Sequence, residues 1–435
     1  MKIAWICHFS NENVRERLPL SNRYFFNFLK KLLGKERKTI YTDFAPWVNN
    51  LIQEFENFQD IELHIIAPHK GIKKFVVEFE FNGIHYHFLK PDFLLLPGKL
   101  FDRIFKERQK EFRLNRFLVK KLIKKIKPDL INLIGTENPY YSITALDIKD
   151  IPLYVSAQTV YTNPDRLKLS GRVSKLNWDV EMKIHKKATY FGCSGRMHRD
   201  LVLRNNPDAI VFKMFFPIQK SAEIKDVSKE FDFVFFAAGV TPKKGIEDAL
   251  EALALVKKMK SNVTLNVVGR CNPDYKQVLL QKMDRLGLKN NVSYNEYFPV
   301  HAHMHQHVKK GRFALVPVKL DVIPGTVIEA ILLDLPVITY KTSGTPYLNK
   351  DGETVLLADI GDIGKLAENM LLLLNNPEKA EQLKKTAKTF VEKEFDNTQS
   401  ARRLVENYRA VIENYHYAIP IPKRLIFNTE EFPVY

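Results

Sequence analysis

Cysteine is scarce in this chain, with only Cys7, Cys193 and Cys271 in 435 residues. They are odd in number, far apart and each beside or inside a strand-like apolar run, which argues against a disulfide framework and predicts buried, reduced thiols. No run of 18 or more apolar residues occurs, so no membrane-spanning helix is predicted. The start, Met1-Lys2-Ile3-Ala4-Trp5-Ile6-Cys7-His8-Phe9, lacks the cationic lead and cleavage site of a signal peptide, and a cytoplasmic protein is expected. The segment after it, Ser10–Arg17, contains no G-x-G-x-x-G, so a standard dinucleotide-binding turn is not supported.

What is present is a folded-protein composition, 45% hydrophobic and 27% charged, with a net charge of +17. The length fits two domains of roughly 200 residues each. The charge is uneven: Lys99–Lys127 holds 12 basic residues against Asp102, Glu107 and Glu111, a net of +9. Phe105, Phe112, Phe117, Leu118, Leu122, Ile123 and Ile126 are interleaved, so the stretch reads as a basic amphipathic helix. Such a helix suits an anionic membrane surface, nucleic acid attracts the same charge, and a solvated basic face is the plain alternative.

Taken in order, Met1–Phe9 is a central parallel strand ending in His8, at the edge where ligand loops leave a doubly wound sheet, although histidines there are often core residues. Asp43–Phe58 reads as a helix and Ile61–Pro68 as a strand. Phe75–Phe81 and Ile84–Leu89 flank Asn82-Gly83, a type I′ hairpin signal. Strands at Pro128–Ile134 and Ile151–Ala157 are expected to be neighbours whose ends carry Glu137 and Gln158 towards a cleft. A strand at Ala188–Cys193 leads to a helix from Ser194 whose Arg196 and Arg199 read as structural. Phe216–Glu230 reads as a linker. A second βα series follows: strands Phe233–Ala238, Thr264–Gly269, Val292–Tyr297, Phe313–Val318 and Leu335–Tyr340, helices Ile246–Lys258 and Tyr275–Leu286, and a last helix at Thr398–Tyr415. Both halves read as doubly wound α/β.

Two turns in the second half point to an anionic ligand. Leu315–Tyr340 runs strand, loop, helix, with Asp321 and Glu329 bracketing Pro324, Gly325 and Thr326. Helix N-termini present unpaired N–H groups and favour negative charge. Thr326 is the expected N-cap, and Glu329 falls at the capping-box position, so the same residues also describe an ordinary capped helix. The other turn, Gly239-Val240-Thr241-Pro242-Lys243-Lys244-Gly245, brings two lysines to a strand–helix junction. His301, His303, His305 and His307 split into two i, i+4 pairs on a helix without a Cys or acidic residue nearby in sequence, and no metal site is expected.

The Asp-x7-Glu spacing of Asp321 and Glu329, the Pro336-Val337 that follows and Gly344-Thr345-Pro346 together resemble the donor-site signature of the family 4 retaining glycosyltransferases, over most of the chain. That family carries Glu-x7-Glu, and Asp321 is one methylene shorter. The Gly239–Gly245 loop resembles the family's Gly-Arg-x-x-x-Lys-Gly, with Lys244 at the lysine, Val240 in place of the arginine and Lys243 as a substitute charge. Gln158 stands where the family often has a histidine, and it cannot titrate near neutrality. The resemblance implies a GT-B fold of two Rossmann-like domains facing a cleft: residues 1–216 on the acceptor side, 217–397 binding the nucleotide-sugar, and 398–435 packing back towards the first. It implies retaining transfer of a sugar from UDP or GDP to a hydroxyl of a glycan or lipid-linked acceptor, in cell-surface polysaccharide assembly at the inner face of the membrane. Asp321, Lys244 and Lys243 would be catalytic. Glu329, Gly325, Thr326, Gly239 and Thr241 would bind the donor, and Gln158, Glu137 and His8 would lie on the acceptor side. No cofactor, no metal and no nucleic acid are expected, and there is no Asp-x-Asp pair of the kind used by the other common glycosyltransferase architecture. A sugar-nucleotide epimerase of the same architecture and a non-catalytic basic binding protein are the alternatives.

Overall fold

The computed structural model describes residues 1–20, 43–69, 71–90, 112–164, 174–218, 227–295, 298, 300–320 and 324–432. Asp321, the first part of the basic stretch and most of the expected linker lie outside these residues. The chain divides into two compact units. The first comprises Met1–Ser194, His198–Pro217 and Asn397–Phe427; the second comprises Gly195–Met197, Ile218–Asp396 and Asn428–Tyr435.

The first unit is built on eight strands: β1 (Lys2–Ile6), β2 (Glu62–Pro68), β3 (Val76–Phe81), β4 (Ile84–Leu89), β5 (Leu130–Ile134), β6 (Leu153–Ser156), β7 (Tyr190–Cys193) and β8 (Ile210–Lys213), in the order β3-β4-β2-β1-β5-β6-β7-β8. All neighbours are parallel except β3 and β4, which form the expected hairpin. Asn82 and Gly83 have φ +50° and +74°, the left-handed pair that a type I′ turn requires. The central strands read as continuous apolar runs because both faces are covered: Ile3, Trp5, Leu63, Ile65, Leu130 and Leu133 are at most 1% exposed.

Strand β8 and the helices Glu12–Arg17 and Lys175–Lys187 are absent from the sequence reading. Ser10–Arg17, expected as a loop, starts a helix because Asn11 caps it, its side chain accepting from the Val14 N–H at 2.8 Å. The basic helix is Arg113–Ile126 within the described residues. The long helix Asn397–Tyr417 belongs to the first unit, where Tyr408 is fully buried, packs on Phe55 and Tyr154, and accepts a hydrogen bond from Asn132 Nδ2 at 2.6 Å.

The second unit carries β9 (Phe231–Gly239), β10 (Leu265–Arg270), β11 (Val292–Asn295), β12 (Gly311–Leu315), β13 (Val337–Tyr340) and β14 (Val355–Ala358), all parallel, in the order β11-β10-β9-β12-β13-β14. Its core gathers Phe233, Phe235, Leu250, Leu253, Leu265, Leu315 and Tyr340. In each sheet the strand order reverses once, at β1/β5 and at β9/β12. Ligands of doubly wound sheets bind outside the carboxyl ends of the strands at such a point.

Candidate functional site

In the second unit, β9 ends at Gly239 and the chain passes Thr241 and a 3-10 turn, Pro242–Lys244, into the helix Ile246–Lys257. Gly245 makes this turn at φ +78°, and a Cβ there would sit 1.9 Å from the Pro317 carbonyl oxygen. No other residue fits. Pro317 follows β12, so the two loops that flank the reversal of the sheet are pressed together. The Lys319 N–H donates to the Lys243 carbonyl at 3.0 Å across the same seam.

Asp248, in the first turn of the helix, ties this corner further: Lys319 Nζ lies 2.7 Å from its Oδ1, and the Tyr340 hydroxyl donates to Oδ2 at 2.6 Å. Burial and that carboxylate push the Tyr340 phenol well above its ordinary range. Lys319 and Asp248 did not stand out in the sequence because the partners are remote along it; Asp248 and Tyr340 are 92 positions apart.

Lys243 and Lys244 are partly exposed and Thr241 is exposed. Val240 is a core residue, 1% exposed, with its N–H donating to the Arg270 carbonyl at 2.7 Å. Its place in the loop therefore offers no cation. Arg270, at the end of β10 and in register with Gly239, does.

The helix after β12 spans Gly325–Leu332, and the structure corrects its expected start. Pro324, not Thr326, is the N-cap, and Thr326 Oγ1 is buried without a hydrogen-bond partner among the described residues. Pro324 takes the cap because its fixed φ of −68° and extended ψ end the loop, and its carbonyl accepts from the Val327 N–H at 3.0 Å. The N–H groups of Gly325 and Thr326 precede the first intrahelical donor and are available to a ligand. Glu329 is consequently one turn in, outside any capping box.

Glu329 instead faces histidines. His305 Nε2 lies 3.4 Å and His301 Nε2 4.0 Å from its Oε2, so the acidic partner lacking nearby in sequence comes from the neighbouring helix. The three groups are close enough to hold a cation. His307 turns elsewhere, its Nε2 2.8 Å from Asn266 Nδ2. The Gly344-Thr345-Pro346 signature is a structural turn: Thr345 Oγ1 donates to the Tyr340 carbonyl and accepts from the Thr342 N–H, both at 2.8 Å.

In the first unit the ends of β5 and β6 are neighbours, in register through Ile134 and Ser156. Glu137 and Gln158 converge over Gly135, whose φ is +80° and whose absent Cβ would lie 2.6 Å from Glu137 Oε2 and 2.8 Å from Gln158 Oε1. Two acceptor-bearing side chains thus share the space that a glycine vacates. His8, beyond β1, is hydrogen-bonded through Nδ1 to the Tyr140 hydroxyl and packs against Phe44. Burial first, and then the Glu137 charge, raise the Tyr140 phenol pKa.

Glu181, from a helix the sequence did not reveal, fixes this edge. It is fully buried, with Oε2 accepting from Thr136 Oγ1 at 2.5 Å and from the Tyr161 N–H at 3.0 Å, and Oε1 from the Thr162 N–H at 2.7 Å.

Residues 218–390 match the family described as glycosyl transferases group 1. No curated protein matches the chain. Among solved structures, sucrose-phosphate synthase from Thermosynechococcus elongatus is similar at 15% identity and a TM-score of 0.66, over 94% of this chain and 98% of that one. Anabaena HepE in complex with UDP and glucose is similar at 16% identity and a TM-score of 0.63, over 94% and 99%. A structure described as trehalose-6-phosphate from E. coli, bound with UDP-2-fluoro glucose, is similar at 9% identity and a TM-score of 0.66, also over 94% and 99%. At these identities the likeness is one of fold, and it spans both units. The match to the group 1 glycosyl transferases lies within the second unit, and the chain carries the GT-B fold expected from the sequence.

Proposed function

We propose that the chain is a retaining, family 4 glycosyltransferase that takes a sugar from a UDP- or GDP-linked donor and places it on a hydroxyl of a glycan or lipid-linked acceptor. The observation that carries this reading is the seam between the β9 and β12 loops. Gly245 against Pro317 sets Lys243 and Lys244 beside the loop that leads to the open N–H groups of Gly325 and Thr326. Such a corner stabilises charge developing on a departing diphosphate. Lys319 and Arg270 add cations to it. Glu329, oriented by His305, would hold the ribose hydroxyls, and Asp321 hydroxyls of the donor sugar. The neighbours that carry UDP or a UDP-sugar analogue support a uridine donor. Glu137, Gln158 and His8 would line the acceptor side. The leaving phosphate would take the acceptor proton.

The test is thermal shift against UDP, GDP and ADP, followed by transfer from the stabilising nucleotide's sugar with the anomer read by NMR. A rise in melting temperature with UDP or GDP, retention in the product and turnover in EDTA are expected. No shift with any of the three would remove the reading.

The helix Arg113–Ile126 favours a membrane-held acceptor. Leu118, Val119, Leu122 and Ile126 are buried in the unit, while Arg113, Phe117, Lys120, Lys121 and Lys124 form one exposed face, with Phe117 63% exposed at its middle. Cations around an exposed aromatic suit an anionic lipid interface, at about 1 kcal/mol per well-placed cation. No described helix is long and apolar enough to cross a membrane. Co-sedimentation with anionic vesicles, released by 0.5 M salt and abolished by changing Lys120, Lys121 and Lys124 to Gln, is expected. Equal partition to neutral vesicles would leave the face as a solvated one.

A further inference from the structure

Away from both sets of loops, one face of the first sheet carries a strip of ionisable side chains. Residues two apart on a strand share a face. Register then places His64 of β2 beside His85 of β4, His85 opposite Glu80 of β3, and His87 opposite Glu78, with Glu62 two residues before His64. A cleft of about 360 Å³ opens over the strip, lined by Lys2, His64, Glu78, His85, His87 and Lys125.

The side chains form a hydrogen-bonded row. Glu62 Oε1 is 2.9 Å from His64 Nε2, His64 Nδ1 is 2.9 Å from His87 Nε2, and His87 Nδ1 is 2.7 Å from Glu78 Oε1. Lys125 Nζ closes the row, donating to Glu78 Oε2 at 2.7 Å. Two neutral imidazoles bring two N–H groups to three contacts. With His87 donating to Glu78 and His64 donating to His87, His64 Nε2 turns a lone pair towards a carboxylate. Two acceptors at that separation are bridged either by a further proton or by a metal cation. His85 stacks on His64 with ring centroids 4.6 Å apart, and one ligand atom each from Glu62, His64 and His85 lie within 4.8 Å of one another.

We propose that Glu62, His64 and His85 bind a divalent transition metal, zinc by ligand type, at a site separate from the sugar-transfer machinery. Two imidazoles and one carboxylate are a known zinc ligand set, with a further position left to water. The backing groups are in place. His87 and Glu78 fix the tautomer of His64 from behind, and Glu80 Oε2 lies within ion-pair distance of the third ligand, 3.6 Å from His85 Nδ1. His64 and His87 are 7% and 6% exposed, so the row is held in one arrangement, while Glu62 and His85 lie at the open side and can close on the ion. Lys2 Nζ, 3.1 Å from Glu62 Oε1, is the counter-charge the metal displaces, and its partly exposed side chain can withdraw to solvent. Bound there, the ion clips β2 to the β3–β4 hairpin at the edge of the sheet.

The experiment uses the full chain without an affinity tag, stripped with chelator and titrated with zinc chloride by calorimetry, with melting temperature read in parallel and cobalt absorption reporting the ligand set. Wild type is expected to bind zinc and to melt at a higher temperature. Glu62→Gln and His85→Ala, both at partly exposed positions, are expected to keep the fold by circular dichroism and to weaken binding by roughly 10- to 100-fold or more. The double change His301→Ala/His305→Ala is expected to leave that binding intact. Absence of zinc binding by wild type, binding that survives both Glu62→Gln and His85→Ala, or binding removed only by the double change would overturn the site.

Discussion

The two units bring polar groups to the reversal point of a parallel sheet by different means. In the second unit the corner is shaped by backbone: Gly245 lies so close to Pro317 that no side chain fits, and the Lys319 and Lys243 main chains join across the seam. In the first unit the corresponding edge is shaped by a buried carboxylate, Glu181, which gathers one hydroxyl and two amides from segments remote in sequence. A site enforced by sterics tolerates no change at one atom. One enforced by hydrogen bonds loses stability before it loses shape.

The largest effect expected to separate the two modes is that of Gly245→Ala. Strain at positive φ costs about 1–3 kcal/mol, and displacement of the lysine turn is expected to lower kcat/KM by about 100-fold or more. Gly287→Ala is the control, because Gly287 also has positive φ, +66°, but nothing lies within 4 Å of the added carbon. It is expected to cost about 1 kcal/mol and leave kinetics unchanged. Equal kinetic losses in the two variants would show that the seam does no more than stabilise.

Next comes Lys244→Ala, for which a fall in kcat/KM of about 100-fold is expected, the order seen when a placed charge stabiliser is removed. A fall below about fivefold would move that role to Lys243, Lys319 or the helix amides. Glu181→Gln is expected to lower stability by about 2 kcal/mol, since the amide cannot satisfy three buried donors. Nucleotide-induced stabilisation of the second unit should be untouched. Loss of nucleotide binding in this variant would mean that the two modes are coupled.

The smallest effect concerns pH. Burial first, then neighbouring His185, holds the His198 ring at about 4, against an ordinary value of 6.5. The neutral ring is the folded form, so its contribution is fully present above pH 6.5 and is lost as pH falls towards 4. His198→Leu is expected to flatten the melting temperature across that window. An unchanged profile would place acid sensitivity in other buried groups, such as His69.

This contrast also explains what could be read from the sequence. The alternating strands and helices, the Asn82-Gly83 hairpin and the glycine-bounded lysine turn are local, and local rules found them. Thr326 does not cap the helix because Pro324 takes the cap two residues earlier, which residue type alone does not decide. Glu181, Asp248 and Lys319 gain meaning only when strands far apart in sequence become neighbours. The Glu62–His64, Glu78–Glu80 and His85–His87 pairs read singly as the outward faces of ordinary strands. Their convergence depends on β2, β4 and β3 lying side by side.

The helix Asn397–Tyr417 has a consequence for biosynthesis. Its Ala401, Leu404, Val405 and Tyr408 complete a core whose other members, Trp5, Phe55 and Tyr154 among them, are made hundreds of residues earlier. A nascent chain on the ribosome has all of the first sheet in hand but a gap where this helix belongs, whereas Ile218–Asp396 is contiguous and can close as soon as it emerges. The core translated first is therefore completed after the core of the second unit, and its unfilled groove is what chaperones would meet in the interval.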